Sequence, residues 1–342
     1  MALLYFHDST CLSPQQTFPV ADLSKINFPA NNILEVNEPG YEGIPPGILR
    51  RMGKAIRMGV GASLPLLKNN SVDGIIIGTA NGGMEDCIKF LNQIIDYNEG
   101  RLTPGNFVGS TANAIAAQLG LFSSNKGYNN THVQSGLSFE NALLDAAMLL
   151  AEKPASKYLV GGVDEISAYN YNIDKLAGWY KHNNTLQFYE KGEGSIPGEG
   201  AAMFIVSAKK ENAAGALEAL EMFHTDHEEE VTRRIQNFVD ANGGSENIGM
   251  VLAGENGDDR YQRFYQFLNS WNGGAAIARF KHFTGEYATA SAVAVWLALQ
   301  IYPSDVPHHM LVKQASNSKS NRVLLVNHYR ANQHSLMLLN KS

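Results

Sequence analysis

The stretch NNTHVQSGLSFENALLDAAMLL, which begins at Asn129, has the shape of a loop that presents a nucleophile at the start of a buried helix. A helix N-terminus favours a thiolate there, yet the stretch contains no cysteine. What the loop offers instead is Val133, Gln134 and Ser135. Ser135 lacks the G-x-S-x-G setting in which a serine is activated, and backbone hydrogen bonding at a helix start is its plainer role. The chain's two cysteines are Cys11 and Cys87. Cys87 falls inside a predicted helix and reads as a small core residue rather than a reactive thiol. Two cysteines are too few for a disulfide framework, and their spacing fits no zinc motif.

Four other groupings could carry chemistry. HTDHEEE brings His224, Asp226 and His227 beside three glutamates, a set of metal-ligand types. Acids at a helix start also complement the dipole, so a solvated cap is the reading adopted, with no metal expected. GTANGGMED follows an apolar run and could cradle a phosphate, but it is not G-x-G-x-x-G and no acid ends a second strand at the right distance. Lys281 and His282 follow a buried strand and read as structural hydrogen bonders. Arg50, Arg51, Lys54 and Arg57 form a modest basic cluster, either a docking point for an acidic partner or a solvated helix face.

The elements that must position these residues alternate. VDGIIIG, KYLVGGVDE, ENIGMVLAG and NRVLLVNHY read as strands; GGMEDCIKFLNQIIDY, HEEEVTRRIQNFVDA and DDRYQRFYQFLNSW read as helices. Such alternation predicts a largely parallel sheet covered on both faces. The helices after Gly136 and after Gly285 are apolar nearly all round, which predicts two buried central helices in equivalent halves. Tyr169–Gly198 reads as loops over a site or a partner surface. With 342 residues, 44% hydrophobic, the chain can bury a large core, and a net charge of −6 without a basic block argues against nucleic acid. MALLYFHDST lacks a basic n-region, and no apolar run spans a bilayer, so a soluble cytoplasmic protein is expected.

Taken in order, STANAIAAQLGLF, the Gly136 loop, GGVDE ending a strand, IPGEGAAMFIV and ARFKHFTGEYATASAVAVWLAL resemble the core of the β-ketoacyl synthases, in the thiolase-like superfamily. The resemblance covers most of the chain. It implies a duplicated five-layer α-β-α-β-α sandwich, with halves at residues 1–210 and 211–342. The family condenses acyl groups with a thiolate and two imidazoles. On its Cys-x-Ser/Thr-Gly pattern, Val133 takes the cysteine's place, Gln134 doing so if the register slips by one, and Ser135 matches the Ser/Thr. Gly254 or Glu255 stands at the first imidazole. In the Lys-x-x-x-Gly-His pattern Lys281 and Gly285 match and Glu286 replaces histidine. HYRANQHS, from His328, replaces the Gly-Phe-Gly-Gly gate.

This pattern resembles a chain-length factor, the partner of an active ketosynthase in fatty-acid, polyketide or aryl-polyene-type synthesis. It implies a dimer, with a ketosynthase or with a second copy, through the NNTHV strand. It also implies acyl-carrier-protein contact, including the phosphopantetheine arm, with no bound cofactor. Two alternatives stay open at this point: an acyl-transfer or hydrolytic enzyme using Ser135 or Glu255 with Glu286 and His282, and a non-catalytic module that binds acyl groups or their carrier.

Overall fold

The computed structural model describes residues 3–342 apart from Asn183, Asn184, Leu186, Asn272, Ser316 and Asn317. Part of the loop reading for Tyr169–Gly198 therefore lies outside the described residues. The first half runs β1 (Leu4–Leu12), α1 (Pro46–Leu49), α2 (Lys54–Asn69), β2 (Gly74–Gly78), α3 (Met84–Asp96), α4 (Pro104–Gly109), α5 (Ala114–Ser123), β3 (Tyr128–His132), α6 (Ser138–Glu152), β4 (Lys157–Asp164), α7 (Ala168–Leu176) and β5 (Gly200–Ser207). The second half runs β6 (Gly215–His224), α8 (Glu228–Ala241), β7 (Met250–Ala253), a 3₁₀ helix (Asp259–Ser270), β8 (Ala276–Arg279), α9 (Lys281–Thr284), α10 (Ala290–Gln300), β9 (Leu311–Lys313), β10 (Arg322–Tyr329) and β11 (Gln333–Lys341).

The strand order is β3-β2-β4-β5-β1-β6-β11-β10-β7-β8-β9. The order β3-β2-β4-β5-β1 recurs as β8-β7-β10-β11-β6, with the same parallel and antiparallel pairings. The two copies meet where Leu4–Phe6 pairs with Gly215–Leu217.

Strand alternation builds the layers, since successive side chains point to opposite faces. Val160, Phe204, Leu252, Leu325 and Met337 face a central core shared with α6 and α10. Their neighbours Leu159, Met203 and Ile205 face an outer core with α2 and α5. Val251, Leu324 and Leu338 face a second outer core with α8 and the 3₁₀ helix. The result is the five-layer sandwich, a thiolase-like α/β fold.

Five expectations are adjusted. The sheet is mixed rather than largely parallel, with six antiparallel pairings against four parallel ones, because β5, β1, β6 and β11 pair antiparallel at the middle of the sheet. Of the region expected to be loops, Tyr169–Leu176 lies in α7, which Ser167 caps by accepting from Asn170 N–H. Helix α10 is buried all round from Ala290 to Leu299, as an apolar helix in a central layer must be. Helix α6 is not: Leu144 is 38% and Met148 61% exposed. The helix packs against β3, the edge strand of the sheet. The segment DDRYQRFYQFLNSW is a 3₁₀ helix rather than an α-helix. Its buried rings recur every three residues, at Tyr261, Phe264 and Phe267, and a 3₁₀ turn stacks i and i+3 on one face. Finally, α10 starts five residues after Gly285, and Glu286 sits in the extended approach to it.

Candidate functional site

Two sequence motifs meet at Gly198 and Gly285. Gly285 has φ +76, and a Cβ on Gly198 would lie 2.0 Å from the Thr284 carbonyl oxygen. Only glycine permits this approach. Glu286 N–H donates to the Ile196 carbonyl at 2.8 Å, and Gly198 N–H to the Glu286 carbonyl at 3.1 Å. The backbone of Glu286 is thereby held from both sides, with its side chain directed at Lys281.

Lys281 is fully buried. Its Nζ donates to Glu286 Oε2 at 2.8 Å, to Oε1 at 3.0 Å and to the His328 carbonyl at 2.6 Å. All three ammonium protons are thus taken. Burial pushes the Lys281 ammonium down and the Glu286 carboxyl up, and each opposes the other's shift. Glu140, on α6, also contributes field at this lysine. It accepts from Ser335 Oγ at 2.8 Å, while its Oε2 has no partner among the described residues. Burial raises its pKa to about 7. Glu140 was not singled out in the sequence, although an acid inside an apolar helix was the available signal.

Of Gly254 and Glu255, which the resemblance sets at the first imidazole, Glu255 pairs with Arg279 at 2.6 Å. Burial raises its pKa, and Arg279 opposes the shift. A Cβ on Gly254 would come 2.5 Å from Asn327 Oδ1 and 3.1 Å from Asn327 Cα, so a side chain there would displace Asn327. His282 points elsewhere: Tyr189 Oη lies 3.1 Å from its Nδ1, and its Nε2 lies 2.9 Å from His309 Nδ1. His309 Nε2 must donate to the Leu23 carbonyl at 2.9 Å, which fixes every proton in that chain. Burial holds His282 neutral, with a pKa of about 3.

The loop before α6 lies at the surface. Val133 is 53% exposed, and Gln134 and Ser135 are exposed as well. Ser135 carries the left-handed backbone of the turn, φ 54. Its carbonyl accepts from Ser138 Oγ, which in turn accepts from Gln134 N–H. No base is hydrogen-bonded to the Ser135 hydroxyl among the described residues. Gly136 packs on Tyr329, where a Cβ would come within 2.2 Å of that ring's Cβ. Tyr329 and Glu286 border a common cavity of about 20 Å³. The structure thus gathers Lys281, Glu286 and the loop's Gly136 end around Tyr329, with Glu255 separately paired and His282 turned away.

The remaining motifs resolve locally. In GTANGG the amides of Ala80 and Asn81 donate to Asp164 Oδ1 at 2.8 and 2.9 Å, so a side chain of the chain's own GGVDE segment fills that anion cradle. Glu228, Glu229 and Glu230 form the first turn of α8. Cys11 is buried and Cys87 half-buried on α3, both as free thiols. In the basic cluster Lys54 pairs with Glu199 and Arg57 with Glu38, leaving Arg50 and Arg51 exposed.

The fold is that of the ketosynthase structures. Residues 28–179 match the family described as beta-ketoacyl synthase, N-terminal domain. No curated protein matches the chain in sequence. Among solved structures it is similar to a beta-ketoacyl synthase from Burkholderia phymatum STM815, with TM-score 0.77 at 14% identity over 100% of both chains. The ishigamide ketosynthase/chain length factor gives 0.73 at 19%, over 99% of each chain. The ketosynthase ApeO in complex with its chain length factor ApeC from Xenorhabdus doucetiae gives 0.77 at 14%, over 99% of this chain and 98% of that one. The match to that family's N-terminal domain covers residues 28–179, and over its whole length the chain is similar in fold to these ketosynthase and chain length factor structures. Among the described residues no helix is long and apolar enough to cross a membrane.

Proposed function

We propose that this chain is a non-condensing subunit of chain-length-factor type that pairs with an active ketosynthase and completes its acyl-binding tunnel. One observation carries the reading. Where the family places an imidazole, Glu286 is locked to Lys281, and the lysine's protons are all engaged. A carboxylate so held offers no N–H to an enolate oxygen, and with Val133 or Gln134 in the nucleophile's place no thioester forms.

The surface supports a partner. β9, at one end of the sheet, is three residues long and carries a lysine, a protected edge. β3, at the other, leaves one side unpaired, and Leu144, Met148 and Val133 stand exposed beside it. An unpaired edge flanked by apolar side chains is a template for a second chain. The acyl-carrier protein would meet the complex near the exposed Arg50 and Arg51.

The test is co-expression with a ketosynthase of the same biosynthetic type, followed by sedimentation and intact mass after incubation with acyl-carrier protein. A one-to-one complex, weakened by Met148→Asp, with acyl groups only on the ketosynthase, is expected. An acyl adduct on this chain, or a tight homodimer that ignores the ketosynthase, overturns the reading.

A further inference from the structure

Helix α3 carries Met84, Ile88, Leu91 and Ile95 at the spacing i, i+4, i+7, i+11, a single apolar stripe. A stripe of that kind normally fastens a helix to a core, yet α3 has no buried residue. Helix α4 buries only Gly109. The two helices chiefly hold each other. Phe90 packs on Phe107 with ring centroids 5.4 Å apart, and Gln93 and Thr103 share two hydrogen bonds of 3.0 Å. At the foot of this hairpin Gly83, with φ +79, lies against Gly109, where a Cβ would come within 2.8 Å of the Gly109 carbonyl oxygen.

The hairpin leaves Leu91, Ile95, Leu102, Phe107 and Val108 between 39 and 75% exposed. Its exit is tied to the unpaired edge strand: Thr131 Oγ1 on β3 donates to Asn113 Oδ1, just before α5, at 2.8 Å. It therefore rises beside the edge that also exposes Val133, Leu144 and Met148. A standard interface buries about 800 Å² on each partner, a little over half of it apolar. Fully exposed, one such side chain offers on the order of 100 Å² to burial. Scaled by their exposures, Val133, Leu144 and Met148 supply about a third of that apolar share, and the five hairpin residues supply about the rest.

We propose that the α3–α4 hairpin is the second arm of the interface with the ketosynthase, and that it opens locally in the free chain until that partner covers its stripe. The proposal rests on the partner reading given above and adds a surface and an order of events to it. A helix of 13 residues with no buried face is marginal by itself, so its opening costs far less than that of the sheet.

Hydrogen exchange of the full chain, alone and in complex with the ketosynthase, tests it together with sedimentation of variants. In the free chain the α3 amides are expected to exchange faster than those of the buried α10, and to slow at least about tenfold in the complex. Ile95→Asp is expected to weaken the complex at least about tenfold. It should leave the chain's own Tm unchanged, because Ile95 is exposed. If Met148→Asp weakens the complex while Ile95→Asp and Phe107→Asp do not, or if α3 exchange is the same free and bound, the hairpin proposal falls and the partner reading stands. If the wild-type chain forms no complex, the partner reading falls and this proposal with it. Self-association of the chain that Ile95→Asp abolishes, with ketosynthase affinity unchanged, would give this face to a second copy and overturn the assignment.

Discussion

Replacing Lys281 by Met keeps the volume of the side chain and removes its charge. Glu286 would then stand buried without its cation. Breaking a buried pair from one side costs about 3–5 kcal/mol, because the surviving charge is left uncompensated. For a chain of this length the unfolding entropy is about 0.7 kcal/mol/K, so a loss of about 4 kcal/mol lowers Tm by about 6 °C. The remaining carboxyl can escape by taking up a proton. Its folded pKa then rises further above the unfolded value, and a raised acid contributes stability that is present at low pH and lost as pH rises through the folded value. The Met variant should accordingly lose more stability at pH 8 than at pH 5. Adding Glu286→Gln should recover most of the loss and remove the pH dependence. Urea melts of wild type, both single variants and the double variant at the two pH values give the coupling energy directly. Additive losses, or a loss relative to wild type that is equal at both pH values, would refute the account of a buried charge pair.

Two further outcomes follow from single contacts. Glu140 is raised from 4.5 to about 7 in the folded chain, so its ionisation costs up to about 3 kcal/mol, present above pH 7 and absent below pH 4.5. Glu140→Gln should therefore gain stability relative to wild type as pH rises from 5 to 8, read as the difference between their urea midpoints; Glu165, His282 and His334 titrate in both proteins and cancel. Gly198→Ala, whose Cβ would stand 2.0 Å from the Thr284 oxygen, should cost at least about 3 kcal/mol or abolish soluble expression.

The layers were legible because their signals are local. The run GIIIG has to be covered on both faces, and ASAVAVWLALQ has no polar side to show to water. The 3₁₀ helix was misread because its rings, spaced by three, sit among charges that also suit an α-helix. The exposure of Leu144 and Met148 was not legible at all: composition does not say which apolar residues a fold leaves for a neighbour. Lys281 and Glu286, five residues apart, were marked by motif, but not their salt bridge. The partners Glu140, Ser335 and His328 come from segments brought together only by the sandwich, as does Asp164 in the GTANGG cradle.

These long-range contacts share one property. Three polar features that would suit a reacting ligand are met by groups of the chain itself. The amides after β2 hold Asp164, the Lys281 ammonium holds Glu286, and Gly136 N–H, at the start of the helix turn, donates to Gln333 Oε1 at 2.8 Å. Gln333 lies in the HYRANQHS segment, which the sequence resemblance sets against the family's gate. A backbone donor occupied by an internal amide is not free for an oxyanion, and displacing that amide would strand its oxygen. The donor set is thus turned inward, and rigidity is what such internal bonds supply. On the proposed reading, a rigid wall is what such a subunit needs in order to shape a neighbour's tunnel, whereas a condensing site would need these same donors empty until substrate arrives.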